Sequence, residues 1–393
     1  MVLALVTALC LGCAKEEEEV VTIVIGEVTD LTGAVSMATI PLHYAITDIV
    51  RYYNEEGFIP GVELKLVTYN THYDSARVIP GYDWCRERGA EVVIAYIATD
   101  AEILKPFAER DKVVVAAAST TSPLMEPPGW AFGFAAPYGP QLKTILKWIS
   151  EEDWDYAKGI PKLGFVAWYV SSGIDQEKAV SEYCQTHPDK FDYVGGFLPP
   201  SGTMSFGPEA EALKDCDYIA VMSTSIGYFI RDFRARGFDA VFVSETSAGV
   251  FEGWFVDMIG WEGLDGFLGL ETWRMWDEPY PNVELATELL YKYHPDKAEE
   301  IIYMGSSYVG IFANGLPLFQ IVEKAIEEVG AENFDGQAFY NVAVNFEVQF
   351  EGYPKWFFTE TRRYLANEVA VYEWSAEAEA RVRVSDWLPL VME

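Results

Sequence analysis

Two clusters of small hydroxyl side chains stand where they could do binding chemistry. Thr99, followed by Asp100, comes directly after the apolar run Val92 to Ile97; Ser119, Thr120, Thr121 and Ser122 come after a second run, Val113 to Ala118. Hydroxyls donate one hydrogen bond each, and a hydroxyl at a helix start is joined by backbone N–H groups with no intrahelical acceptor. Such a group of donors, helped by the positive end of the helix dipole, holds an anion such as a carboxylate. The alternative is that Thr99 or Asp100 merely caps the helix that follows, since both residue types favour that position.

The elements that position these clusters follow from patterning. Both apolar runs are short, β-branched and bounded by breakers, as buried parallel strands are, and the segment between them suits a crossover helix. Parallel neighbours end at one edge of the sheet, so the two turns should lie side by side at the edge where ligands of open α/β sheets bind. A strand over Thr22 to Val28, a polar turn Asp30 to Ser36 and a helix from about Pro41 precede them. A second strand, Glu63 to Tyr69, leads to a crossover helix that Pro80 and Gly81 should bend. Trp130 to Gln141 reads as a strand leaving this lobe.

The βα alternation restarts at Gln141 with strands at Lys162 to Trp168, Tyr193 to Phe197, Tyr218 to Met222, Ala240 to Ser244 and Gly266 to Leu270. Beyond Thr272 it gives way to helical segments, Asn282 to Tyr293, Ser306 to Val329 and Gln337 to Val344, and then to an alternating pattern typical of an antiparallel pair. The fold class expected is α/β: two doubly wound, Rossmann-like lobes joined by a three-stranded hinge, with a ligand cleft between them. The lobes are expected over 20–138 plus 273–355 and over 139–272 plus 356–393. The crossings fall near Pro137 to Pro140, Leu270 to Trp273 and Tyr353 to Phe358.

Composition narrows the function. The 393 residues suffice for two domains, and with half of them hydrophobic and 15% aromatic the chain is not disordered. A formal charge of -33 argues against nucleic acid or an acidic membrane surface as partner. A small anion remains acceptable, because a local nest of N–H groups outweighs a screened distant field. No GxSxG, GxxxxGK, HExxH or GxGxxG stretch is present, and the four histidines, His43, His72, His187 and His294, are scattered. Neither catalysis nor a cofactor is indicated. Cys85, Cys184 and Cys216 have no metal-site spacing; a Cys184–Cys216 bridge and three buried thiols are both open.

The first residues, MVLALVTALCLGC, read as the apolar core and cleavage site of a secretory signal, too short to span a bilayer. Leu11-Gly12-Cys13 resembles a bacterial lipoprotein signal, which implies a lipid on Cys13 and a mature chain tethered to the membrane by the acidic stretch Ala14 to Glu19. Residues 1–19 are thus expected to be signal and tether.

The stretch VVIAYIATDAEILKPFAERDKVVVAAASTTSPL, with TIVIGEVTDLTGAVS upstream, resembles the extracytoplasmic solute-binding proteins of ABC transporters, of the branched-chain amino-acid (Leu/Ile/Val-binding) type with the periplasmic binding protein type I fold. The likeness covers nearly the whole mature chain in its order of elements. It implies a monomer that closes two lobes over a small carboxylate and presents it to an ABC permease. It also implies that Thr99, Ser119 and Thr121, with Thr120 between them, hold the carboxylate, and that Glu245 accepts a ligand ammonium. The family's Tyr in the loop after the first strand of the second lobe is matched by Ser172, with Tyr169 nearby. Helices after Thr272 are implied to return to the first lobe. Tyr96 and Trp273, at a strand end and a crossing, are candidate walls of a side-chain pocket. Most of the 23 Tyr, 23 Phe and 12 Trp must nevertheless be core. Whether the ligand is an apolar or aromatic amino acid or a simple organic acid, and whether it is transported or sensed, is open at this stage.

Overall fold

The computed structural model describes residues 20–392; the signal segment, Cys13 and the acidic tether lie outside the described residues. The first sheet is built from β1 (Val21–Thr29), β2 (Val62–Asn70), β3 (Ala90–Ala95), β4 (Val114–Ala117) and β5 (Ala131–Gly133) in the order β2-β1-β3-β4-β5, all parallel. The second sheet repeats that order with β6 (Lys162–Val166), β7 (Asp192–Phe197), β8 (Tyr218–Val221), β9 (Val241–Ser244) and β10 (Leu268–Glu271), as β7-β6-β8-β9-β10. Antiparallel strands Glu368–Ser375 and Ala380–Arg383 extend it beyond β10. In each sheet the strand order reverses beside the first strand, between β1 and β3 and between β6 and β8, which opens a crevice at the carboxyl edge.

The strands form where apolar runs are covered on both faces. β4, β8 and β10 are buried at every residue, as a parallel sheet clad in helices requires. β7 sits at an edge and alternates exposed with half-buried residues. Pro80 does not interrupt helix Val78–Arg86: it is the third residue, in the first turn, where no intrahelical acceptor awaits its missing N–H. Trp130 to Gln141 is not one strand. β5 ends at Gly133 as the edge of the first sheet, and a helix, Tyr138–Trp148, starts directly after the crossing.

Two hydrophobic cores result. The first contains Ile25, Val93 and Val115 from its own sheet together with Leu289, Phe312 and Phe339 from the returning helices Pro281–Tyr293, Ser307–Asn314 and Gly336–Ala343. The second contains Phe165, Ile219, Phe229, Phe242 and Trp374. Residues 356–366, expected with the second lobe, pack in the first: Trp356, Phe358 and Leu365 are in its core, and Leu365 N–H donates to Gly133 O at 2.9 Å. The chain therefore crosses back only just before Glu368. The helical segment expected from Ser306 to Val329 is two helices, Ser307–Asn314 and Leu316–Val329, meeting at Gly315 where Pro317 opens the second. Cys85, Cys184 and Cys216 are all free and buried.

Candidate functional site

The two hydroxyl turns lie side by side as their parallel strands require: Ala118 N–H, after β4, donates to Ala95 O, at the end of β3, at 3.1 Å. Backbone at Ile97 is extended (φ -94°, ψ 126°), and helix Ala98–Asp111 starts at the next residue. Thr99 is consequently in the first turn, among N–H groups without intrahelical acceptors. Thr99 and Ser119 both line a cavity that lies between the lobes, with about 140 Å³ accessible to the centre of a water-sized sphere. One buried water needs only ~10–15 Å³, so the cavity has room for a small organic molecule.

Its wall draws on both lobes. The first contributes Thr99, Ser119, Tyr73, Tyr96 and one face of helix Ser307–Asn314; the second contributes Ser172, Met222, Ser247 and Phe251. Tyr138 and Gln141, on the helix after the first crossing, and Trp273, at the second, complete it. Five aromatic rings, Tyr73, Tyr96, Tyr138, Phe251 and Trp273, stand on the wall, and among the described residues no Asp, Glu, Lys, Arg or His does. The site is apolar and aromatic with a few hydroxyl and amide groups, the usual make-up of a small-molecule pocket.

The polar groups divide into those already engaged and those left open. Tyr96 presents its ring, because its hydroxyl donates to Glu27 Oε1 at 2.7 Å. Glu27 is itself fully buried and also accepts from Thr68 Oγ1 and bonds His43 Nδ1, each at 2.7 Å. Burial pulls the His43 pKa down, but the hydrogen bond and charge of Glu27 outweigh it and raise the value. Gln141 Oε1 accepts from Thr246 N–H at 3.0 Å and its Nε2 donates to Ala136 O at 2.8 Å. Ser119 Oγ accepts from the Tyr138 hydroxyl at 2.8 Å and keeps its own proton to donate. Burial pushes the Tyr73 phenol up to about 12, so it is a donor at neutral pH.

Of the residues expected at the site, Tyr96, Thr99, Ser119, Ser172 and Trp273 are on the cavity wall; Thr120, Thr121, Tyr169 and Glu245 are not. Thr120 Oγ1 donates to Ala135 O at 3.2 Å, and Thr121 Oγ1 donates to Glu102 Oε1, because the chain here turns into helix Ser122–Met125 and carries both side chains off the wall. Tyr169 is 63% exposed. It follows buried Trp168 in extended backbone bridged to Pro200, so its side chain falls on the opposite face. Glu245 is fully buried one step behind the wall, where Oε2 accepts from Ser247 N–H at 2.6 Å and Oε1 from Gln176 Nε2 at 3.2 Å and from Ser247 Oγ. Burial raises its pKa against those hydrogen bonds.

Asp100, beside Thr99, is buried and off the wall, and Oδ2 has no partner among the described residues. Burial, and then the charge of Asp30, push its pKa up to about 7. A second negative charge next to Thr99 is thereby suppressed at mildly acidic pH and about half suppressed at pH 7.

Tyr73, Tyr138, Gln141, Phe251 and the helix face Ser307, Gly310, Ile311 and Asn314 were not expected from the sequence. The last four fall at i, i+3, i+4 and i+7, a legible stripe that in isolation reads as core. Gly310 is required where it is: a Cβ there would stand 2.6 Å from Trp273 Cε2.

Comparison with known proteins agrees with this geometry. Solved structures of the same fold include a branched chain amino acid ABC transporter from Thermus thermophilus with bound valine (18% identity, TM-score 0.80, 94% of this chain and 96% of that one). They also include a solute binding protein of ABC transporter from Rhodopseudomonas palustris HaA2 in complex with p-hydroxybenzoic acid (15%, 0.76, 94% and 97%). A third is a fatty acid ABC transporter substrate-binding protein from Thermomonospora curvata (14%, 0.76, 94% and 92%). No curated protein matches the chain by sequence. The family model for periplasmic binding proteins matches residues 22–379, nearly the full described length. With two doubly wound lobes closed on a cavity, this chain belongs to the periplasmic binding protein family.

Proposed function

We propose that the protein is the extracytoplasmic receptor of an ABC importer and captures a small carboxylate with an apolar, most readily aromatic, body. The observation that carries this reading is the cavity wall: aromatic rings and open hydroxyls at a helix start, with no charged side chain among the described residues. The ligand carboxylate is assigned to Thr99, Ser119 and the free N–H groups of the first turn of helix Ala98–Asp111, and the aromatic rings to its body. An uncharged wall favours an organic acid without an ammonium group, since a buried cation without a counter-charge is costly.

A second reading, an apolar or aromatic amino acid, is favoured by one observation: Glu245 lies directly behind Ser247, close enough to Tyr138 for its charge to help raise that phenol's pKa. Valine and p-hydroxybenzoic acid in structures of the same fold correspond to the two alternatives. Lipid anchoring through Cys13 and delivery to a membrane permease, rather than signalling to a receptor, belong to the same proposal. Mass spectrometry of ligand retained by gently purified protein tests it: a monocarboxylate of about amino-acid size is expected, and a cationic or uncharged ligand would overturn it. Calorimetry with Glu245→Gln separates the two readings, since only an ammonium-bearing ligand should lose affinity.

A further inference from the structure

Resting on that reading of the cavity, we infer that the ligand carries a hydroxyl at the end remote from its carboxylate, and that Asn314 reads it. Asn314 ends helix Ser307–Asn314, in which every residue is buried. It lines the cavity, is 4% exposed, and its Oδ1 has no hydrogen-bond partner among the described residues. A buried amide without a partner is disfavoured, and nothing in the packing of this helix calls for one; its neighbours on the stripe are Gly310 and Ile311. Several other polar groups of the cavity wall are engaged within the protein. Ser307 Oγ donates to Val250 O at 3.3 Å, Thr39 Oγ1 donates to Asp30 O, and the Tyr96 hydroxyl is held by Glu27.

A second group points to the same end. The Trp273 indole N–H is also buried without an acceptor among the described residues. Its ring lies against Gly310, one helical turn before Asn314 on the same face. Asn314 is on a different element from the turns of Thr99 and Ser119, so a ligand anchored there by its carboxylate meets the amide with another part of its body. An amide presents both a donor and an acceptor, and a hydroxyl complements either one. A purely aliphatic or unsubstituted aromatic end would leave the amide unpaired, which is how a site rejects an analogue lacking a hydroxyl.

Calorimetry on the full mature chain, freed of retained ligand, tests this with two pairs of probes: 4-hydroxybenzoate against benzoate, and L-tyrosine against L-phenylalanine. In whichever pair binds, the hydroxylated member should bind about tenfold tighter or more, and Asn314→Leu should bring the two members to within about threefold of each other. Asn314→Ala, which adds no volume, gives the same comparison should the leucine variant fail to fold. Equal binding within a pair by the wild type, or a gap that survives removal of the amide, overturns the role of Asn314 and leaves the carboxylate reading standing. Binding of none of the four overturns this inference, while the charge of the ligand retained by purified protein decides the carboxylate reading separately.

Discussion

Asp100→Asn should make the protein more stable above neutral pH, by an amount that shrinks as pH falls and is small only near pH 4. The carboxyl is buried, one oxygen is unpartnered, and burial with the Asp30 charge carries its pKa from 3.8 to about 7. Below about pH 4 the group is protonated in folded and unfolded chains alike and contributes nothing. Between about 4 and 7 the folded chain keeps a proton that the unfolded chain has released, so stability falls as pH rises; above about 7 the full cost is present. The gap between 3.8 and about 7, at ~1.36 kcal/mol per pH unit, sets ~4 kcal/mol as the upper end of that cost. Asparagine removes the charge while keeping the volume. Thermal unfolding of both proteins at pH 4 and pH 8 is the assay, with the variant melting clearly higher at pH 8 and close to wild type at pH 4. A bound carboxylate beside Thr99 favours the protonated form, so wild-type affinity should fall as pH rises through about 7 while the variant's stays flat. A variant less stable at pH 8, or affinities with identical pH profiles, would show that Asp100 is ionised and satisfied in the folded protein.

Three further outcomes follow from the contacts. Ser119→Ala should weaken ligand binding by calorimetry about tenfold or more, whereas Thr121→Ala, whose hydroxyl is engaged by Glu102, should bind as wild type does. Gly310→Ala would place a methyl 2.6 Å from the Trp273 ring and force that ring back by most of an ångström. Overpacking of this kind costs about 1–3 kcal/mol against a helix-propensity gain of about 1, so the melting temperature should drop and ligand affinity with it. Arg381→Met removes the cation that pairs buried Glu271 and Glu252 at the second crossing. Breaking such a pair costs about 3–5 kcal/mol, and since burial already holds Glu271 near a pKa of about 7 despite Arg381, the loss should be larger at pH 8 than at pH 5.

The parallel strands and the two-lobe plan were legible because parallel strands buried on both faces leave near-continuous apolar runs, and the turns after β3 and β4 could be placed side by side from strand direction alone. Thr99 and Ser119 were accessible to that argument. Thr120 and Thr121 were not separable from Ser119 by sequence, because which hydroxyl in a run faces a ligand depends on where the following helix begins. Tyr169 and Trp168 are a case of period-two alternation, in which a shift of one residue moves a side chain from the buried core to solvent. Residues 356–366 went to the wrong lobe since a chain that re-enters a sheet has no composition mark; the pairing of Leu365 with Gly133 is long-range. The wall from helix Ser307–Asn314 was hidden for a different reason, that an apolar stripe facing a ligand has the same pattern as one facing a core.

Direct contacts across the cleft set what a ligand would have to add to hold it shut. The lobes meet through contacts that include Ser122 N–H to Asp175 Oδ2 at 3.1 Å and, on the other side, Tyr303 to Asp257 at 2.7 Å, Ser306 N–H to Gly249 O at 3.0 Å and Ser307 Oγ to Val250 O at 3.3 Å. Each such bond is worth about 0.5–1.5 kcal/mol net, and the first is weakened because burial disfavours the Asp175 charge and Glu102 repels it. A ligand shifts the balance only by its difference in affinity between open and closed forms. Thr99, Ser119 and Asn314 belong to the first lobe, while Ser172 and Phe251 belong to the second, so a molecule touching all of them gains its full contact set only when the cleft is shut. Moving an open-to-closed ratio from 99:1 to 1:99 takes about 5.5 kcal/mol of that difference, which the burial of an aromatic body together with two or three hydrogen bonds to a carboxylate can supply. On the proposed reading, an analogue lacking either end would forfeit part of it, and closure would then be the step at which ligands are distinguished.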